Sequence, residues 1–165
     1  MKQRIGTIKL GDIAFLSDPC YGTMSKWNCT MEMIPGEYIA FITRTEAKTI
    51  EGRISSLYVV HADFYKHFKK RPSDDHEMLR CAVDSGTCGI FSAEYFEKFH
   101  DENGVDDDWY EENVIKMDEF KITDEKGVVS SSGLGDGLYP VFAVEYFDIY
   151  VVLTNDDVPE VSTEE

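Results

Sequence analysis

In the segment Glu37 to Arg44 both alternating sets of side chains are apolar, Ile39 and Phe41 on one and Tyr38, Ala40 and Ile42 on the other. Successive residues of an extended strand point to opposite faces, so this strand needs cover on both sides and belongs inside a sheet. Runs of similar length recur along the chain between turn signals. Ile5 to Leu10 and Ile13 to Ser17 flank Gly11-Asp12, a two-residue connection that predicts an opening β-hairpin. Arg53 to His61, Met117 to Thr123, Val128 to Ser131, Leu138 to Glu145 and Phe147 to Thr154 read as further strands. Asp124-Glu125-Lys126-Gly127 forms a hairpin tip, and Pro140 is expected at an edge or a bulge.

Helical signals are few and short. Asp63 caps a predicted helix through Lys70, which ends in the basic cluster Lys66, Lys69, Lys70 and Arg71 before Pro72. Ser92 caps a second over Ala93 to His100, with Tyr95, Phe96 and Phe99 on its apolar face. A third short helix is expected near Trp109 and Tyr110, while Thr23 to Met33 has no clean period and reads as an irregular stretch over the core. The fold class is therefore α+β: a β-dominated single domain with a mostly antiparallel sheet, barrel-like or sandwich, and two or three short helices. Residues 1–154 form the expected domain, and 155–165 an acidic flexible tail.

With 165 residues, 42% of them apolar, the chain can build a core without staples. No apolar run is long enough to span a membrane and no leader pattern opens the chain, so a cytoplasmic protein is expected. Cys20, Cys29, Cys81 and Cys88 match no zinc or redox spacing and read as reduced thiols. The net charge of −16 repels phosphate backbones, which argues against direct nucleic-acid binding. Asp101, Asn103 and Glu112 occupy three places of a calcium loop. Asp106 and Asp108 stand where that loop needs a glycine and an aliphatic residue, so no metal site is expected, and no cofactor.

Two glycine loops are the candidate site. In the first, Val83 leads into Asp84, Ser85 and Gly86; in the second, Ser132 and Gly133 precede Gly135, Asp136, Gly137 and Tyr139. Asp18, held at a strand end before Pro19, is expected to join them. Glycines reach positive φ and bring bare backbone N–H groups close to a ligand, while the acids accept hydrogen bonds from hydroxyls or amines. The same residues also serve as tight turns with serines satisfying loop backbone.

Val83-Asp84-Ser85-Gly86-Thr87 resembles the aspartic protease signature, but a shared-proton dyad needs two such acids and the motif occurs once. A wider resemblance rests on Ser17-Asp18-Pro19-Cys20-Tyr21, Val83-Asp84-Ser85-Gly86, Gly89-Ile90-Phe91 and Ser132-Gly133-Leu134-Gly135-Asp136-Gly137-Leu138-Tyr139-Pro140-Val141, in that order. This set is similar to a family of small β-rich bacterial and bacteriophage proteins of unknown function. The resemblance implies an accessory, phage-encoded protein that counters host defence by binding a small nucleotide-like signal or a host protein. A non-enzymatic binding role is thus the first expectation, with self-association as a further state. The alternatives are a hydrolase using Asp84 or Asp136 as general base or metal ligand, and an acidic mimic of nucleic acid.

Overall fold

The computed structural model describes residues 2–44, 53–65, 77–132, 135–142 and 148–152. In chain order the strands are β1 (Lys2–Leu10), β2 (Ile13–Ser17), β3 (Cys29–Glu32), β4 (Gly36–Arg44), β5 (Ile54–His61), β6 (Glu77–Val83) and β7 (Thr87–Ser92). The helix α1 (Ala93–Phe99) follows, then α2 (Asp107–Tyr110), which continues as a π-helical turn over Glu111–Ile115. The chain ends with β8 (Phe120–Thr123), β9 (Gly127–Ser131), β10 (Gly137–Phe142) and β11 (Asp148–Val152).

These strands form two open sheets, not a closed barrel. The larger runs β1-β4-β5-β11-β10-β6 and the smaller β3-β2-β7-β9-β8, with antiparallel pairing throughout. One core lies between them. Ile8, Tyr38, Ile42, Leu57, Val59, Tyr139 and Val141 enter it from the large sheet, and Leu16, Ile90 and Val128 from the small one. β4 is interior, and both of its alternating sets are buried: Tyr38, Ala40 and Ile42 in the shared core, Ile39 and Phe41 on the outer face with Tyr58 and Val60. The outer face of the small sheet is covered in turn by the helical layer, where Phe15, Phe91 and Val129 meet Tyr95, Phe96, Trp109 and Val114. Bidentate pairing of Arg44 with Glu119 (3.0 and 2.7 Å) ties the end of β4 to the start of β8.

Several expectations are corrected. Gly11-Asp12 is not a hairpin, because β1 pairs with β4 and β2 with β3 and β7. The chain instead passes from one sheet to the other, with the Gly11 N–H donating to Ser92 Oγ (3.2 Å) and Met33 N to Asp12 O (2.8 Å). Thr23 to Met33 is not wholly irregular, since Cys29–Glu32 forms the edge strand β3. Ser92 precedes α1 but makes no side-chain cap; its hydroxyl is engaged by Gly11. Pro140 lies in a strand flanked on both sides, yet β11 pairs only from Val141 onward, so at Pro140 itself the described partner is Arg80 of β6 alone. β10 is an interior strand and not an edge, with a register shift against β6 just beyond Pro140, between Val141 and Phe142. Residues 66–70 of the helix expected from Asp63 through Lys70, with its basic cluster, residues 143–147 and 153–154 of the last two expected strands, Gly133, and the acidic tail lie outside the described residues. Among those described, no helix is long and apolar enough to cross a membrane.

Candidate functional site

Like Gly11-Asp12, the turn 84–86 joins the sheets: β6 ends in the large sheet at Val83, and β7 begins in the small one at Thr87. A loop that turns between layers leaves several N–H groups without ladder partners, and Asp18 supplies the acceptors. Its carboxylate is fully buried at the end of β2. Oδ2 accepts from Asp84 N (2.7 Å) and Ser85 N (2.6 Å), and Oδ1 from Cys20 N (2.9 Å) and Ser85 Oγ (2.7 Å). Four donors around one carboxylate use its accepting capacity. Ser85 and Thr87 hydroxyls lie 2.7 Å apart and extend the network toward β7.

The second glycine loop docks on the first. Ser132 N donates to Gly86 O (2.9 Å), and Ser132 Oγ reaches Gly86 O (3.4 Å) and Gly135 O (2.5 Å). The buried Tyr139 also donates to Gly135 O, at 2.6 Å. Gly86 (φ 77°) and Gly135 (φ 87°) occupy the left-handed region, and at both positions the space a Cβ would fill is open. Gly137 by contrast is extended and pairs with Val83. That register places Asp84 and Asp136 immediately beyond the Val83–Gly137 pair, both exposed.

The structure thus brings the two loops together as expected and divides their residues. Asp18, Ser132 and Tyr139 hold the loops in place through internal hydrogen bonds. Asp84 and Asp136 face solvent, with Leu138 exposed in β10, while Ser85, also exposed, has its N–H and hydroxyl engaged by Asp18 and Thr87. Two tyrosines also join the site, Tyr21 from the Ser17–Tyr21 motif and Tyr110, which no local motif marks. Tyr21 follows the Asp18 turn, and its hydroxyl is pushed up to about 12 by burial and by the Asp18 and Asp84 carboxylates. Tyr110 comes from α2 to lie beside Ser85, its hydroxyl also raised, chiefly by burial. The Cys20 thiol is pushed up to about 12 by burial first and Asp18 second, so it is not a nucleophile at neutral pH.

The acidic segment after α1 is used for turns. Asp101 Oδ1 accepts from Asn103 N and Gly104 N (both 2.9 Å), and Asp106 Oδ2 caps α2 through Trp109 N (2.9 Å). Among the described residues no cluster of acids, histidines or cysteines is arranged to hold a metal ion. No protein-family model, curated protein or solved structure matches this chain.

Proposed function

We propose that this chain is a non-catalytic binding protein whose contact face is the paired-loop end, and that its partner offers a cationic, hydrogen-bond-donating surface. The observation that carries this reading is the placement of Asp84 and Asp136. Two exposed carboxylates at neighbouring strand ends repel each other, and a cationic group between them relieves that repulsion. The chain's net charge of −16 adds long-range attraction for such a partner. Acid–base chemistry is less well supported, because carboxylates that share a proton need a common desolvated position and these two are open to water. Asp18, the one buried carboxylate among the described residues, is already committed to four internal donors.

A basic face on a host protein fits the accessory, counter-defence role implied by the motif resemblance. The small nucleotide-like signal is the competing ligand. Native mass spectrometry of protein purified from its own host cells separates them, since it reports a bound protein or a bound small molecule by mass. In the double variant Asp84→Asn, Asp136→Asn the complex should weaken at least tenfold while the melting temperature stays within a few degrees. Undiminished partner binding by the folded double variant would sink the reading. Loss of well over ~2 kcal/mol of stability would instead make these acids structural.

A further inference from the structure

β7 runs from Thr87, paired with Ser131, to Phe91, paired with Gly127. Five strand steps separate Thr87 from Ser92, so the β8–β9 tip lies roughly 17 Å from the glycine loops, at the other end of the small sheet. There a cleft of about 440 Å³ opens between the β1–β2 junction, α1 and that hairpin tip. Three lysines from separate segments line it: Lys9 of β1, Lys98 of α1 and Lys126 of the hairpin. All three are exposed, and among the described residues none is in a salt bridge. Leu10, Tyr95 and Phe99 supply apolar lining.

Charge here runs against the rest of the molecule. Two carboxylates, Glu94 and Asp124, also line the cleft, so the three lysines leave its lining one positive charge in excess, and Asp124 is held on the wall by the Tyr95 hydroxyl at 2.6 Å. The walls are held before any ligand arrives: Lys9 N donates to Glu125 O (2.8 Å) and Ser92 N to Lys126 O (3.0 Å). A volume of this size lies within the usual range for small-molecule sites, which combine an apolar lining with a few convergent polar groups. Lysines act as flexible point charges and suit an anion of no fixed geometry, while aromatic walls favour a flat apolar body.

We propose that this cleft binds a small organic anion, one that joins a carboxylate, sulfate or phosphate group to a flat apolar part. The site is separate from the paired-loop face and does not depend on that face's function. Phenyl phosphate is a suitable probe, with inorganic phosphate and phenol as its two halves, followed by amide NMR shifts on the full chain. Saturable shifts should concentrate in residues 9–11, 92–99 and 124–126. Phenyl phosphate should bind about tenfold or more tightly than either half, and about tenfold more weakly to the double variant Lys98→Gln, Lys126→Gln. Lys26→Gln, an exposed lysine elsewhere, and the Asp84→Asn, Asp136→Asn protein should both bind as the parent does. Should the double lysine variant lose its native spectrum, each single variant carries the same comparison. Shifts that fail to saturate or fall outside the cleft, equal affinity in the lysine variants, or binding of phosphate alone as tightly as phenyl phosphate would each overturn the proposal.

Discussion

Asp18 and Asp84 look alike in sequence, each an acid at the end of an apolar run, and the fold gives them opposite roles. Asp18 is fully buried among four donors, whereas Asp84 is exposed and contributes its backbone N–H to Asp18. One donor to Asp18, Cys20 N, lies two residues on, but the other three come from residues 66 and 67 positions away, so the local sequence does not mark which acid is buried. Asp18→Asn should therefore destabilise the protein by about 2–4 kcal/mol, since an amide nitrogen faces donors where an oxygen accepted them. Urea unfolding measures this directly. A loss below about 0.5 kcal/mol would mean the loop does not rely on Asp18. The glycines were more legible: of the two that flank Asp136, Gly135 takes the left-handed φ that glycine alone adopts freely.

Among the elements, the expected strands correspond to all but β3, β6 and β7, while strand partners, apart from the β8–β9 hairpin, were not readable. The interior placement of β4, second in the six-stranded sheet though not at its centre, followed from its doubly apolar alternation, and the β8–β9 hairpin from its polar tip. The sheet change at Gly11-Asp12 was hidden, because alternation fixes which residues face the core but not which sheet presents them. Ile8 and Leu10 enter the shared core from one side and Ala14 and Leu16 from the other, so the pattern resembles a hairpin's. β3 was missed because a half-buried run of four residues is too short to show a period. At the β8–β9 tip, Asp124 (φ 50°) and Glu125 (φ 61°) both adopt the left-handed conformation, which Asp tolerates better than Glu. Glu125→Gly should raise stability by up to about 1 kcal/mol by relieving that strain, less what glycine returns to the unfolded chain. A thermal melt that falls by several degrees would show that the Glu125 side chain contributes more than its backbone costs.

Across the whole molecule, two effects of acidification oppose one another. Lowering the pH toward the isoelectric point near 4.5 reduces the self-repulsion of a chain carrying −16, which favours the compact state. His100 works the other way. Its ring stacks on Phe96 (3.7 Å between centroids) and meets Trp109 edge-on, with Nδ1 2.7 Å from Phe96 O and Nε2 2.9 Å from Pro19 O. It thereby joins the helical layer to the turn that begins at Asp18. Burial lowers its pKa below the usual histidine value, and the Pro19 and Phe96 carbonyls and Asp101 offset this only in part. A base whose folded pKa is depressed binds more protons when unfolded. Its contribution is therefore complete above about pH 6.5 and is lost as pH falls through the lower folded value. NMR titration should place the His100 midpoint below that of a free histidine, and between pH 7.5 and 5.5 the parent protein should lose stability relative to His100→Gln. The variant retains the surface charge, so comparing its slope with the parent's removes the repulsion common to both. Equal slopes would show that burial and the two carbonyls balance, and a midpoint above 6.5 that the carbonyls outweigh burial and His100 stabilises the fold as a cation.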